Sequence, residues 1–403
     1  MQAIQLTKHV YWVGAVDDEL RDFHGYHTAR GSTYNAYLIL DDIPILLDTV
    51  KAPFYHEMMA RITSVIDPKK IKYIISNHAE MDHSGCLPQT IAAIKPQQVF
   101  ASTAGVQALQ EHFHADLAIT PIKNEEQLFL GKSQFQFLET KMLHWPDSMF
   151  TFYANDGVLF SQDAFGMHLA TRQLLAEQHE QQILYDEAAK YYANILLPYS
   201  ALVNKLLEKF HAMNLPLTMI APDHGPVWNT KNNIEWIVGL WGNWSTQEKE
   251  DKIVIVYDTM WHSTALMAKA IAEGAASAKV DVKVLPLASV HRSDVATEIL
   301  TAKALLLGSP TINQQMFPSM ADALCYLKGL KPKKLLGQAF GSYGWSGDAV
   351  VLLQKELQTM QINLVGNAIT VKYVPTVADL AKCYDLGSQV AFAIQNLKSS
   401  ISS

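Results

Sequence analysis

The stretch Ile71-Lys-Tyr-Ile-Ile-Ser76, followed closely by His78-Ala-Glu-Met-Asp-His83, decides how the first half of this chain folds. The apolar run predicts a buried strand. The second motif contains four potential metal ligands, which are His78, Glu80, Asp82 and His83. In an extended segment alternate side chains point the same way, so we expect His78, Glu80 and Asp82 to converge and His83 to reach the other side. A sheet holds the loop at the end of its strand in place, which makes this stretch a candidate metal site.

The composition indicates a globular protein with two large domains. The chain has 403 residues, 49% of them hydrophobic and 18% charged, and its net charge of -7 argues against a nucleic-acid partner. The N-terminus lacks the apolar core of a signal peptide, and no run of about eighteen apolar residues marks a membrane span. The scattered cysteines Cys86, Cys325 and Cys383 argue against a disulfide framework or a cysteine-ligated metal. We therefore expect a soluble cytoplasmic protein with no membrane partner.

Three further candidate ligands lie at predicted strand ends in the first half of the chain. His144 follows a strand at 134–140, Asp163 follows a strand at 158–160, and His224 follows a strand at 217–221. Each of them alone would as readily be a structural residue. Because a layered fold brings strand ends together, their positions relative to the cluster at 78–83 favour a shared metal site.

The sequence pattern changes after a short charged bridge, Gln247-Glu-Lys-Glu-Asp-Lys252. Ile253–Tyr257 is a continuous apolar run, which is typical of a parallel strand buried on both faces. Strands and helices alternate after it, which predicts a doubly wound parallel sheet. We therefore predict two domains, 1–249 and 250–403. We also expect a long helical segment over 179–213 and a last strand over 363–371.

Three loops at the predicted carboxyl ends of parallel strands form the candidate ligand site of the second domain. The first loop, which contains Thr259 and Thr264, precedes a predicted helix. Hydroxyls and backbone amides at the start of a helix bind phosphate, although this loop alone would indicate only helix capping. The third loop, which contains Ser342 and Gly347, is rich in glycine and aromatic residues, and this composition suits a flat ring packed against the backbone. Neither GxGxxG nor a Walker lysine is present. The candidate cofactor-binding residues are Thr259, Met260, Trp261, His262, Ser263, Thr264, Ser309, Pro310, Thr311, Asn313, Ser342, Tyr343, Gly344, Trp345, Ser346 and Gly347.

The metal motif resembles that of the metallo-β-lactamase superfamily, with the order H-x-E-x-D-H, then H, D and H. The resemblance implies an αββα sandwich with a two-metal site, and it makes Asp48 in Leu46-Leu-Asp-Thr49 a structural hydrogen-bond anchor. Zinc hydrolases of that superfamily usually have a histidine where this chain has Glu80. A carboxylate there gives mixed nitrogen and oxygen ligands, which non-haem iron prefers. The implied ligand sets are His78, Glu80 and His144 for one iron and Asp82, His83 and His224 for the other, with Asp163 as the bridge.

The three loops of the second half together resemble flavodoxin, which binds FMN. That resemblance implies that Trp345 stacks on the flavin and that Trp261 forms a second wall. The fold class that follows is α/β: an αββα metallo-β-lactamase-like sandwich followed by a flavodoxin-like doubly wound parallel sheet.

The two halves together resemble the flavodiiron proteins over essentially the whole chain. The motifs HAEMDH, MLHWPDS, DAFG, PDHG, DTMWHST and GSYGWSG carry this resemblance. It implies a minimal two-domain member, without a rubredoxin or reductase extension, that reduces dioxygen to water, nitric oxide to nitrous oxide, or both. It also implies two iron ions and FMN as cofactors, a small redox protein such as rubredoxin as electron donor, and a head-to-tail homodimer or a dimer of dimers.

Three polar residues look like family positions close to the irons. His24 and Tyr191 are the candidates for supplying protons, and His168 is a weaker one. An ordinary structural hydrogen bond is the alternative for each.

Two other functions stay open from the sequence. One is a zinc-dependent hydrolase that carries a flavodoxin-like module, which Glu80 and the flavin loops oppose. The other is a non-catalytic electron carrier whose metal half is only a scaffold, which the complete set of seven candidate ligands opposes.

Overall fold

The computed structural model describes residues 1–399, and the chain in it forms two compact units. The first unit comprises Met1–His24, Thr28–Tyr191 and Ala201–Gly242. The second unit comprises Gly25–His27, Tyr192–Ser200 and the chain from Asn243 onward. Two short segments of the N-terminal half therefore belong to the second unit.

A seven-stranded mixed sheet holds the metal motif in the first unit. Tyr37–Ile39 and Ile45–Leu47 pair as an antiparallel hairpin, and Ile45–Leu47 pairs in parallel with Tyr73–Ser76. Tyr73–Ser76 is therefore an inner strand, held along both edges. The spatial order of the strands is Ile4–Gln5, Val10–Trp12, Tyr37–Ile39, Ile45–Leu47, Tyr73–Ser76, Gln98–Ser102 and Ile119–Ile122.

A five-stranded sheet packs against the seven-stranded one. Side chains of both sheets form one buried cluster between them, which includes Tyr37 and Ile75 from one sheet and Phe137 and Phe160 from the other. Burial alternates at the start of Ser133–Glu139, as expected for a strand with one face in this core. The spatial order is Gln127–Leu130, Ser133–Glu139, Met149–Tyr153, Val158–Gln162 and Met219–Pro222.

Helices cover the outer faces of the two sheets. Leu46 of the seven-stranded sheet packs with Met58 and Leu87 of two helices in a second buried cluster. Phe210 of another helix lines a small cavity with Leu138 of the five-stranded sheet. The layers are therefore those of the expected αββα sandwich. The helices of the first 245 residues are Tyr55–Thr63, Met81–Ser84, Leu87–Ile94, Thr103–Phe113, Gln181–Tyr191, Ser200–Met213 and Lys231–Ser245.

The second unit is built on a parallel sheet whose strands follow the 2-1-3-4-5 order of one doubly wound fold. This order confirms the fold class expected for this half. The strands in space are Asp281–Pro286, Glu250–Tyr257, Ala302–Gly308, Leu336–Tyr343 and Asn363–Leu364, and Ile369–Lys372 also pairs with Leu336–Tyr343. The helices are Ser263–Ser277, Arg292–Thr301, Pro318–Leu330, Asp348–Thr359 and Val377–Ser399.

The helical segment expected over 179–213 is interrupted. Gln181–Tyr191 leads into a π-helix at Tyr192–Leu196 and a 3-10 turn at Leu197–Tyr199 before Ser200–Met213 begins. Pro198 explains the break, because its nitrogen cannot donate the hydrogen bond that a continuous helix requires.

The other corrections concern the second unit. The last strand expected over 363–371 is two strands, Asn363–Leu364 and Ile369–Lys372, with Gly366 between them at a φ of 69°. The charged bridge is shorter than expected, because its last three residues already belong to the strand Glu250–Tyr257. The sequence pattern also missed the helix Arg292–Thr301. No helix among residues 1–399 is long and apolar enough to span a membrane.

We expect Phe137→Ala to lower the free energy of unfolding of the first unit by about 3–5 kcal/mol, because Phe137 is fully buried between the two sheets. Phe129 lies on the neighbouring strand but is 62% exposed, so Phe129→Ala is the matched control and should cost only about 0.5 kcal/mol. Denaturant titration measures both changes. Equal losses would contradict a core between the sheets.

Candidate functional site

Four loops at the ends of strands bring the seven predicted ligands together in the first unit. His78 and Glu80 follow the strand Tyr73–Ser76, and Asp82 and His83 lie in the short helix Met81–Ser84. The remaining ligands, His144, Asp163 and His224, come from the loops after other strands. All are buried except His144, whose side chain is 15% exposed.

The ligands form two groups. In the first, the Nε2 atoms of His78 and His144 lie 3.3 and 3.1 Å from Oε2 of Glu80. In the second, Nε2 of His224 lies 3.2 Å from Oδ2 of Asp82. The full groups are His78, Glu80, His144 and Asp163, and Asp82, His83 and His224.

Asp163 joins the two groups through its two carboxylate oxygens. Its Oδ2 lies 3.2 Å from Nε2 of both His78 and His144. Its Oδ1 lies 3.2 Å from Nε2 of His83 and 3.5 Å from Nε2 of His224. A carboxylate in this position suits the bridge between two metal ions.

The extended geometry expected for residues 78–83 is wrong. The segment turns into a helix after Glu80, and this turn sends Asp82 into the same group as His83 rather than towards His78. A residue of another loop, Thr49, stabilises this turn. Its backbone N–H and its hydroxyl both donate to the carbonyl of His83, at 3.0 and 2.6 Å.

The histidine hydrogen bonds leave the Nε2 lone pairs for metal ions. His224 Nδ1 lies 2.6 Å from the carbonyl of Thr33, so it carries the proton. His78 Nδ1 lies 3.1 Å from the carboxylate of Asp147. A neutral ring in either place turns its Nε2 lone pair towards carboxylate oxygens, a repulsive contact that a bound cation converts into an attractive one.

Buried atoms without hydrogen bonds also indicate metal binding. Both carboxylate oxygens of Asp82 and of Asp163, and both ring nitrogens of His83, make no hydrogen bond to another described residue. Burying charged groups without such partners is costly unless they are paired or coordinate a metal. The donor set therefore fits two metal ions with mixed nitrogen and oxygen ligands.

Without metal, the carboxylates keep protons on the imidazoles. Burial lowers the pKa of His83, but the carboxylates of Asp82 and Asp223 outweigh it and raise the pKa to about 10. Burial likewise lowers the pKa of His144, but Asp163 and Glu80 raise it to about 9. Metal binding at neutral pH must therefore displace protons from the site.

A surrounding layer of residues orients the ligands, and the sequence assigned only one of them. Asp48 accepts from the backbone N–H of Asn77 at 2.6 Å and from its side chain at 2.7 Å, so it is an anchor as expected. Asp147 accepts from the N–H of Ala79 at 2.6 Å as well as facing His78. Asp223 lies 3.6 Å from His83 Nδ1. Asp147 and Asp223 lie in the motifs MLHWPDS and PDHG, each close in sequence to a ligand histidine. A carboxylate close to a ligand histidine was therefore the sequence signal that could have predicted their orienting role.

The three predicted proton-supplying residues lie in the same region. His24 Nε2 is 3.3 Å from Oε1 of Glu80, and the His24 side chain is 76% exposed. The rings of Tyr191 and His168 are 5.2 Å apart, and the His168 ring is 4.6 Å from that of His224. Ser32 Oγ lies 2.8 Å from His168 Nδ1 and 3.3 Å from His224 Nδ1.

The second unit has a cavity of about 760 Å³ at the carboxyl ends of its strands. The walls include Trp261 and Trp345, which are 88% and 89% exposed. Exposed indole rings in the lining of a cavity fit a flat apolar ring. The helix Ser263–Ser277 begins at the cavity without a side-chain cap, so its first N–H groups are available to a phosphate. The hydroxyl of Thr259 is buried and makes no hydrogen bond to any residue that the structure describes. The cavity thus fits FMN.

Most of the predicted cofactor residues line this cavity. Thr259, His262, Thr264, Ser309 and Gly347 do not; Thr264 instead contacts the hydroxyl of Ser342 at 3.0 Å, and Ser309 accepts from the N–H of Phe317. The sequence missed four lining residues, Ile312, Gln314, Tyr373 and Val374. Tyr373 and Val374 follow the strand Ile369–Lys372, so an accurate end for the last strand was the signal that could have found them.

The fold and the two sites define a protein with a metallo-β-lactamase-like two-metal unit and a flavodoxin-like unit. Residues 33–225 match the family described as ODP family beta lactamase, and residues 255–387 match flavodoxin. A nitric oxide reductase of Moorella thermoacetica is 42% identical over 98% of this chain and 99% of its own length. A rubredoxin-oxygen oxidoreductase of Megalodesulfovibrio gigas is 39% identical over the same shares. The flavodiiron protein structure from Giardia intestinalis has a TM-score of 0.95 at 33% identity and covers 98% of this chain and 97% of its own.

The chain therefore belongs to the flavodiiron family of oxidoreductases, as its sequence motifs indicated. Its cofactors are FMN and a di-iron centre, and the cavity and the two ligand groups fit them.

Asp147→Asn should weaken metal binding by about 10- to 100-fold, because the carboxylate that accepts from His78 and Ala79 is lost. Asp156→Asn is the matched control, since Asp156 faces a histidine, His9, that is not a ligand. Competition with a chelator under anaerobic conditions measures both affinities. Equal affinities of the two variants would contradict an orienting role for Asp147.

Metal affinity should rise with pH between about 6 and 8. The raised pKa values of His83 and His144 mean that acid leaves more protons for the metal to displace. Each displaced proton changes the apparent affinity about tenfold per pH unit. Titrating the metal-free protein with Co²⁺ at several pH values tests this, and an affinity independent of pH would contradict it.

Proposed function

We propose that this protein reduces dioxygen to water, nitric oxide to nitrous oxide, or both, at its di-iron site with electrons that pass through FMN. The observation that carries the proposal is Asp163, whose two oxygens each face one ligand group, in a chain that also carries a flavin cavity. The names of two relatives, nitric oxide reductase and rubredoxin-oxygen oxidoreductase, support these substrates.

The cofactors match the electron count of both reactions. Dioxygen takes four electrons and four protons to give two waters, and two nitric oxide molecules take two electrons and two protons to give nitrous oxide and water. When bound, two ferrous ions supply two electrons and offer open positions for the gas, and reduced FMN supplies two more.

The residues proposed to hold the metal ions are the two ligand groups with Asp163 shared between them. His78, Glu80 and His144 hold one ion, and Asp82, His83 and His224 hold the other. Glu80 gives the first ion a carboxylate ligand beside its two imidazoles, which suits iron better than an all-histidine set.

The protein's own polar groups would deliver protons to the reacting gas. His24 is the most direct candidate, because its ring is exposed and its Nε2 lies 3.3 Å from Oε1 of Glu80, the carboxylate oxygen that does not face His78 and His144. His168 packs against both Tyr191 and His224, so Tyr191 and His168 offer a second, buried source of protons.

The electron donor is proposed to be a rubredoxin-like protein, as the name of the Megalodesulfovibrio gigas relative suggests. Electron transfer from flavin to iron requires the two cofactors to lie close together, which supports a head-to-tail homodimer or a dimer of dimers.

We propose a domain boundary between residues 249 and 250. We place the protein in the cytoplasm, and its three free cysteines are consistent with a reducing compartment.

Zinc-dependent hydrolysis is not favoured as a second function. Glu80 occupies a position in the first ligand group, and the relatives that align over nearly the whole chain are oxidoreductases by name. A non-catalytic carrier is opposed by the seven ligands, which the fold brings together from four loops.

Rapid mixing of the fully reduced protein with dioxygen or with nitric oxide tests the proposal. Flavin and iron absorbance should return to the oxidised form with at least one gas. His144→Ala should slow this by about 100-fold or more, because it removes a ligand from one ion. His56→Ala, which removes an exposed helical histidine, is the control and should react at the original rate. Reaction with neither gas, or zinc with hydrolytic turnover, would contradict the proposal.

A further inference from the structure

Asp258 is a buried carboxylate that lies directly before the first loop of the flavin cavity, residues 259–262. It follows the strand Glu250–Tyr257, and its backbone N–H donates to the carbonyl of Gly308 at 3.0 Å, which fixes its main chain at the end of the sheet. Only 6% of Asp258 is exposed. A buried carboxylate requires hydrogen-bond partners, because burying a charge without them is costly.

The two carboxylate oxygens of Asp258 have different hydrogen-bond partners. Its Oδ1 accepts from the backbone N–H of Thr259 at 2.7 Å. Its Oδ2 accepts from the hydroxyl of Ser319, which lies in the first turn of the helix Pro318–Leu330. The Asp258 side chain therefore ties the first residue of the loop 259–262 to the start of a neighbouring helix.

The loop 259–262 positions the groups that can bind a phosphate. Trp261 lines the cavity, and Ser263 begins a helix that has no side-chain cap. His262, between them, has a left-handed φ of 66°, a conformation that persists only where the surrounding structure holds it. The hydroxyl of Thr259 makes no hydrogen bond to another described residue and can bind the phosphate. The bond from Asp258 fixes the backbone from which all these groups extend.

The start of the helix Pro318–Leu330 is bonded to two loops of the cavity. Ser309, in the second loop, accepts from the backbone N–H of Phe317 at 2.9 Å, and Phe317 directly precedes the helix. Ser319 donates to Asp258 and so holds the first loop. Removing the Asp258 carboxylate would therefore release the first loop and leave the second one in place.

The negative charge of Asp258 is associated with a different helix from the one that would receive the phosphate. Helix N-termini carry partial positive charge and stabilise a nearby carboxylate. The helix Pro318–Leu330 provides this for Asp258, because its N-cap residue, Phe317, contributes no side-chain acceptor. The phosphate would bind at the start of the helix Ser263–Ser277. A carboxylate can therefore support the loop without occupying the phosphate position.

We propose that Asp258 is a positioning residue for the phosphate of FMN, acting through the N–H of Thr259 and the hydroxyl of Ser319. Its role is to accept hydrogen bonds, and its charge is not required. Asparagine should therefore replace it, because its side-chain oxygen can accept from Thr259 and its amide can donate to Ser319. Alanine should not. The inference concerns FMN binding and does not depend on whether the di-iron site reduces a gas.

Flavin titration of the full-length protein, after removal of its own FMN, tests the inference by fluorescence quenching. Asp258→Ala should weaken FMN binding by about tenfold, the effect of losing a hydrogen bond to a charged group. It should leave the affinity for riboflavin, which has no phosphate, unchanged. Asp258→Asn should bind FMN as the unmodified protein does. Asp251→Ala is the matched control and should change neither affinity, because Asp251 is at the other end of the same strand, bonded to Lys303.

Ser319→Ala is a second test, because it removes one of the two bonds and leaves Asp258 bonded to Thr259. It should weaken FMN binding by about threefold and riboflavin binding not at all, and it decides the inference if Asp258→Ala does not fold. Three results would overturn the inference: equal weakening of FMN and riboflavin binding, unchanged FMN binding in the alanine variants, or an asparagine variant as weak as the alanine one. The titration uses no gas, so a protein that reacts with neither gas would contradict only the proposed function.

Discussion

The site depends on one carboxylate shared between two groups of imidazoles. Asp163 places Oδ2 against His78 and His144 and Oδ1 against His83 and His224. Burial raises the pKa of Asp163, but the positive charge of the neighbouring histidines, above all His78, outweighs burial and holds this pKa well below its ordinary value. Removing the negative charge of Asp163 would leave four histidines, three of them buried, facing one another. The sharing therefore forces the strand ends that carry the seven ligands to converge on one point.

The sandwich supplies this convergence through a polar link between its sheets. Asn77, directly before His78, is held by Asp48 on one side and accepts from the hydroxyl of Thr151 at 2.5 Å on the other. Asp48 follows a strand of the seven-stranded sheet, and Thr151 lies in the five-stranded sheet. The link fixes the register of the metal motif before any metal binds. Its cost in buried polar groups is offset because each of these groups is hydrogen-bonded.

Local sequence motifs predicted the ligands well, whereas they did not predict features that depend on contacts between residues far apart in the chain. Four potential ligands in HAEMDH, and single ligands after three other strands, were enough to predict all seven residues of the two groups. The extended reading of 78–83 was wrong because Thr49, from a distant loop, fixes a helical turn that no local pattern shows. Tyr373 and Val374 were missed because the last strand ends beyond its expected limit. No local sequence pattern indicated that Gly25–His27 and Tyr192–Ser200 belong to the second unit, because that assignment depends on contacts between residues far apart in the chain.

Mössbauer spectroscopy of the iron-loaded protein tests most directly whether Asp163 would be shared by two iron ions. We expect about two irons per chain with mixed nitrogen and oxygen ligands, magnetically coupled in the oxidised state. Asp163→Asn should weaken that coupling or lose one iron, whereas Asp156→Asn should leave the spectrum unchanged. Two uncoupled irons, or a single iron in the unmodified protein, would contradict a di-iron site that shares Asp163.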